Sequence, residues 1–467
     1  MRTTTSLLSL LGVLILAPIS MARASESELP PNDPANAAGG KRALPDYDGR
    51  PDAGASVGEA LVWVPRVVLF PVHAVAEYGL RRPLVGAVTW SEEHYLMQRT
   101  RRLFTSDDGK RGVYPYFLID TGLRPRAGVV AFADSLLSPD NDARVSGSFA
   151  RTQAFSVTAQ DSTRLGRARR TALIVRSVYA TADDNRFYGL GPAGAQAGAS
   201  GAAFALRRID ESVQLERSLG GLSRAALQAR LRDARFGASR FGGTSGADLM
   251  SSSGGPGQPP LPPGWGGYRL LSLGGKLILD SRDPSLDHLA GATGVRLEMN
   301  GALAGDATQS DLRFADWGGE LAGFVDVTGR ENVFGARVAA RFQENIGGAP
   351  VPFTERPALG GAETMRGFTA GRLRGDSTFL AELQYRYTIA AYVDAELFSG
   401  VGNAFDGHLR GIEPGALLWT SGLSLRTTFS RDTSWGAGIA MASDRLDSSS
   451  FNAADNVRFF AGLNQGF

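Results

Sequence analysis

Read backwards from its end, the chain alternates apolar and polar positions. In NVRFFAGLNQGF, Val457, Phe459, Ala461, Leu463 and Phe467 fall on one face, and Arg458, Gly462, Asn464 and Gly466 on the other. In FLAELQYRYT, Phe379, Ala381, Leu383, Tyr385 and Tyr387 alternate with Glu382, Gln384, Arg386 and Thr388. VRLEMN (295–300) and FGARVAARFQ (334–343) repeat the pattern. A period of two means strands with one apolar and one polar face. From Tyr114 onward it predicts strands near 113–122, 127–136, 142–150, 152–161, 168–181, 203–214, 222–235 and 267–280. Eight more follow, near 292–302, 310–328, 332–343, 376–388, 391–400, 415–429, 433–443 and 456–467.

Two architectures share this pattern. A soluble β-sandwich buries its apolar faces, whereas an outer-membrane barrel turns them to lipid and lines its lumen with the polar ones. The sum of sixteen favours the barrel, because a closed antiparallel barrel with both ends on one side needs an even number. Long links, such as TADDNRFYGLGPAGAQAGASG and TSGADLMSSSGGPGQPPLPPGWGG, alternate with short ones such as TGREN and SRDTS. That fits outer loops and periplasmic turns. DSRDPSLDHLAGATG is longer than a periplasmic turn needs to be. The fold expected is therefore all-β: a 16-stranded antiparallel outer-membrane barrel over 112–467, with a short periplasmic helical segment before it. Phe467 supplies the terminal aromatic of a barrel signal, although Gln465 stands where a second aromatic is often found.

The start of the chain agrees with export. MRTTTSLLSLLGVLILAPISMARA has a basic Arg2, an apolar stretch from Leu7 to Ile19 and a small-residue end, so residues 1–24 read as a signal peptide cleaved after Ala24. Residues 25–54 are polar and rich in Pro, Gly and Ala, and read as a disordered linker. Residues 55–111 read as a periplasmic amphipathic segment. Pro65, Arg66 and Pro71 rule out a spanning helix there. Short helices are expected over 71–80 and 91–103, packed against the barrel rim.

Composition removes several functions. A net charge of +2, well mixed, offers nothing to nucleic acid. There is no cysteine, and His73, His94, His288 and His408 are too scattered to hold a metal. No Gly-x-Ser-x-Gly elbow or phosphate loop appears. His288 and His408 have no evident serine partner, so an enzyme acting on lipid has little to build on. No cofactor and no catalytic residue is expected.

The sixth outer loop, about 344–375, is long and glycine-rich, and carries Met365-Arg366-Gly367-Phe368. This resembles the Val/Leu-Arg-Gly-Phe/Tyr motif of the bacterial surface antigen superfamily, which includes the BamA/TamA-like assembly barrels and the two-partner secretion barrels. RFYGLGP (186–192), LILDSRDP (277–284), LGG (359–361) and LAELQYRY (380–387) match as well. The resemblance covers residues 113–467, about three quarters of the chain. It implies that the sixth loop folds into the lumen and that its arginine meets acids on the inner wall. A luminal arginine needs a carboxylate that suits its planar fork. The resemblance makes Glu382 the partner of Arg366, with Gly367 allowing a tight turn. The family's second acid, in a Phe-x-Asp-x-Gly stretch, is replaced by Gly400, and Asp394 or Glu396 are the candidates to stand in.

Relatives that assemble or secrete proteins carry periplasmic polypeptide-transport-associated domains, and residues 25–111 are too few for one. Two functions stay open. One is insertion or translocation of proteins or other molecules through a loose seam between first and last strands, where Gly462 and Gly466 weaken pairing. The other is a passive, porin-like solute channel constricted by the loop. Expected partners are outer-membrane lipids, the barrel assembly machinery during biogenesis, and an unidentified protein substrate or periplasmic partner.

Overall fold

The structure, a computed structural model, describes residues 103–465, except 121–122, 151–153, 193–200, 241–247, 253–259, 284–292, 309–310, 327–331, 391–392, 428–432 and 444–455. It also describes Arg82, Gly86, Trp90 and His94. The signal peptide, the linker, most of the helical segment and Phe467 fall outside the described residues.

Strands β1 (Arg111–Asp120), β2 (Arg126–Asp134), β3 (Asn141–Ala150), β4 (Ala154–Leu165), β5 (Thr171–Phe187), β6 (Ala202–Gly220), β7 (Ser223–Gly237) and β8 (Tyr268–Asp280) form the first half of a closed barrel. The second half is β9 (Gly294–Asp306), β10 (Arg313–Asp326), β11 (Val333–Asn345), β14 (Ser377–Ala390), β15 (Val393–Phe405), β16 (Leu418–Thr427), β17 (Thr433–Ala442) and β18 (Val457–Gln465). Each pairs antiparallel with its neighbours, and β18 returns to β1. Two short strands, β12 (Ala358–Leu359) and β13 (Leu373–Arg374), pair with each other inside the loop between β11 and β14. The sixteen barrel strands are those the alternation predicts.

Some boundaries moved. β5 and β6 run well past the ends read from the sequence, so that TADDNRF is strand rather than loop. The apolar alternation stops near Tyr179, but backbone pairing continues across a bulge between Ala182 and Asn185. Beyond the bilayer nothing requires an apolar face, so the hairpin extends without its sequence signal. In the same way β15 continues to Phe405, where the alternation had suggested an end near residue 400.

The barrel is inside-out relative to a soluble protein. On β1, Val113, Phe117 and Ile119 are exposed. On β11, Phe334 and Val338 are exposed while Arg337 between them is buried. On β14, Leu383 is exposed between buried Glu382 and Gln384. Apolar side chains thus clad the outside, where lipid replaces water. Among the described residues no helix is long and apolar enough to cross a membrane, so the strands are the spanning elements.

Leu383 lies in the middle of β14 with 65 % of its surface exposed. Leu383→Arg should destabilise the barrel by about 2–4 kcal/mol, the cost of a cation at mid-bilayer. Guanidinium unfolding in lipid vesicles would measure it, and a loss near zero would mean that this face is not in lipid.

Candidate functional site

The loop between β11 and β14 is the site, and its backbone decides how it folds. Gly360 has φ +108°, and a Cβ there would lie 2.2 Å from the Thr369 carbonyl oxygen. Only glycine fits such a position. The β12–β13 pair then holds the two limbs of the loop together below its tip. At the tip Met365 has φ +45°, an uncommon conformation for a residue with a side chain. Met365 and Phe368 are fully buried, packed with Leu359, Leu373, Leu380, Ala404 and Ala442. The tip is therefore a small apolar core, not a solvated loop.

Gly367 serves differently from the expectation. Its φ is not positive, and the left-handed position is Met365. A Cβ at Gly367 would come within 2.4 Å of the Met441 carbonyl oxygen, and its N–H donates to Thr420 Oγ1 at 2.8 Å. Glycine here permits close approach to the inner wall of β16 and β17.

Arg366 lies between these contacts and is almost wholly buried. Its Nη2 donates to Glu382 Oε1 at 3.3 Å, and its Nη1 makes a closer bond to Glu396 Oε1. Its guanidinium also lies 4.2 Å over the ring of Phe398. The sequence pointed to Glu382 as the principal partner, but Glu396 holds the shorter bond. The register explains the shift. Gly400 pairs with Glu382, and a Cβ at Gly400 would touch the Glu382 stem at 3.3 Å. An acid at 400 would crowd Glu382, whereas Glu396 reaches the arginine from four residues earlier on the same inner face. Asp394 is also buried, but its charge acts on Arg386.

Glu396 collects three cations. Besides Arg366 it accepts from Arg386 Nε at 3.1 Å and Arg426 Nη1 at 3.4 Å. Glu382 is shared with Arg337, whose Nη1 also reaches Glu320 and whose Nη2 donates to the Glu363 carbonyl at 2.6 Å. Burial disfavours the Arg366 charge, but the carboxylates of Glu396 and Glu382 more than restore it, and its pKa is raised.

Several contacts were not legible in the sequence. Arg458 Nη1 donates to the carbonyls of Arg366 at 2.7 Å and Phe368 at 2.9 Å. Arg372 stacks 4.3 Å over Tyr188, whose hydroxyl meets Thr369 Oγ1 at 3.1 Å. Tyr188 belongs to RFYGLGP, so that motif and the loop are one unit. The rising limb of the loop has its own attachment. Glu355 accepts from Arg232 Nη1 at 2.7 Å and from the Tyr268 hydroxyl at 2.5 Å. Next to it Phe353 inserts among Phe187, Phe204 and Phe236, with ring centroids 5.0–5.3 Å away. The loop thus crosses the lumen from the β7–β8 wall to the β14–β18 wall.

Residues 146–444 match the family described as the Omp85 superfamily domain. No curated protein sequence matches the chain. Among solved structures it is similar to BamA from Haemophilus ducreyi lacking POTRA domains 1–3, at TM-score 0.52 and 13% identity. That match covers 76% of this chain and 70% of the other. CdiB from Acinetobacter baumannii matches at TM-score 0.46 and 12% identity, over 76% of this chain and 60% of that one.

Glu396→Gln removes the carboxylate shared by three buried guanidiniums and should cost about 3–5 kcal/mol. Glu382→Gln should cost less, because Arg337 and Arg366 each keep a second acid. Denaturant unfolding of the two variants ranks them, and an equal or larger loss at Glu382 would contradict the geometry.

Proposed function

The chain belongs to the Omp85 superfamily of bacterial outer-membrane barrels, and from that premise we propose that it assists insertion or translocation of proteins or other molecules at the outer membrane. The moving part is the seam between β1 and β18. One observation carries this reading. Among the described residues the seam has two register pairs, Ile119 with Ala461 and Asp120 with Phe460. On its other edge β1 makes eight pairs with β2, and β18 makes nine with β17. Backbone hydrogen bonds are what hold a barrel closed in lipid, where no water replaces them. The shortest ladder is therefore the one to part first, and Gly462 in β18 weakens it further.

In this reading the Arg366–Glu396–Glu382 cluster is the anchor that holds the sixth loop as a luminal plug. Outer-membrane lipids at the seam and the barrel assembly machinery during biogenesis are its partners, with a protein substrate as the cargo. A passive solute channel has less behind it. At the level of the loop tip the inward charges pair with one another, and Met365 and Phe368 fill the space between them.

Planar-bilayer recordings of the full-length chain should find it nearly closed. Arg366→Ala and Glu396→Ala should both open it, with the double variant no more open than either single one. A large steady conductance indifferent to both substitutions would favour the porin-like channel. For the insertion role, Ile119→Cys with Ala461→Cys places a lockable pair across the seam of a chain that has no other cysteine. Vesicles carrying the reduced form should fold an added reporter barrel about tenfold faster than empty vesicles, the gain expected if about 1.4 kcal/mol of the insertion barrier is removed. Oxidation should abolish that gain. Equal rates with and without the chain would remove the proposal.

A further inference from the structure

The sixth loop and the seam meet at one residue. Arg458 is the second residue of β18 and is fully buried in the lumen. Its Nε donates to Asp120 Oδ1 at 2.6 Å, and its Nη2 makes a close bond to Asp120 Oδ2. Asp120 is the last residue of β1, so this bidentate ion pair crosses the seam. The remaining arm, Nη1, donates to the carbonyls of Arg366 and Phe368, the residues on either side of Gly367. One planar guanidinium thus holds β1 with one edge and the loop tip with the other.

We infer that Arg458 is the positioning residue that couples the seam to the sixth loop, so that neither opens without weakening the other. The physical basis is the fixed fork of arginine. Its bonds to Asp120 hold the plane of the guanidinium, and that plane aims Nη1 at the two carbonyls. Among the described residues, Asp120 is the carboxylate in ion-pair reach of Arg458. If β1 moves away, a buried cation loses its counter-charge and its orientation together. If the loop tip leaves, two bonds to a charged donor are lost and the buried arm of Arg458 is left unsatisfied. Coupling of this kind is reciprocal. The pair lies outside the Arg366–Glu396–Glu382 cluster, which ties the loop to β14 and β15 and makes no contact across the seam. The inference rests on reading the seam as the moving part.

The test uses the full-length chain with Ile119→Cys and Ala461→Cys, folded in vesicles and checked by heat-modifiable migration. Two readouts are taken: the disulfide yield at a fixed oxidation time, for the seam, and bilayer conductance, for the loop. Asp120→Asn should lower the yield by about fivefold, the lower end of typical coupling between sites, and should raise the conductance in the same variant. The charge-reversed pair, Asp120→Arg with Arg458→Asp, should restore the yield while leaving the conductance high. A carboxylate at position 458 can re-form the ion pair but cannot donate to the Arg366 and Phe368 carbonyls. Gly367→Ala, which forces the tip off the Met441 carbonyl, should lower the yield although it lies on neither seam strand. That variant decides the matter if the reversed pair does not fold. The inference is overturned if Asp120→Asn moves one readout alone or neither, if the reversed pair restores both, or if Gly367→Ala leaves the yield unchanged. Neither readout involves cargo. A failed coupling therefore leaves the insertion reading standing, and a working coupling in a chain that does not speed insertion removes that reading alone.

Discussion

A guanidinium buried inside a barrel must find its counter-charge on the wall, and Arg366 finds two. Its bonds to Glu396 and Glu382 bring the tip of a long loop against β14 and β15. The other loop contacts depend on that placement. Gly367 can approach the Met441 carbonyl because the arginine beside it is held from the other side. Met365 and Phe368 can share a core with Leu380 and Ala404 because the tip is already at the wall. If the charge were left unpaired, the same burial would expel the loop, since an isolated buried cation is far costlier than its packing can offset.

The wall answers with more than one pair. Glu396 faces three arginines, and Glu382 faces two. Such a cluster is poor at adding stability, because desolvation consumes most of what attraction supplies. Its value lies in specificity. Apolar side chains at the tip would tolerate several positions along the barrel axis, whereas a bidentate fork between two fixed carboxylates tolerates one. The Phe353 nest and the Glu355–Arg232 pair fix the other limb of the loop on the opposite wall. A loop held at both ends across the lumen is a strut, and it closes the space between the walls it joins.

The barrel itself distributes strength unevenly. The longest ladders join β5, β6 and β7, and the shortest joins β1 to β18. Side chains add to the seam what the backbone leaves out. The Asp120–Arg458 pair spans it, and the same arginine touches the loop. The weakest part of the wall and the plug of the lumen are therefore adjacent in space, although Asp120 and Arg458 stand near opposite ends of the barrel sequence.

Local alternation was enough to determine the sixteen strands, because the bilayer demands an apolar outward face and the pleat sets a period of two. It also placed Glu382, Glu396 and Arg458 on the inner face before any coordinates were considered. The Met-Arg-Gly-Phe motif singled out the loop, and its resemblance to a known family named Arg366 as the residue to follow. Pattern could not decide which acid the arginine meets most closely, because that depends on register and on the room left by Gly400 beside Glu382. Nor could it show that Gly367 serves for close approach while Met365 takes the left-handed turn, or that β5 and β6 continue beyond the lipid, where no apolar face is required. Arg458 is the clearest case. Alternation assigns its direction, but its partners lie on the first strand and in the sixth loop, and only closure of the barrel brings the two ends of the sheet together.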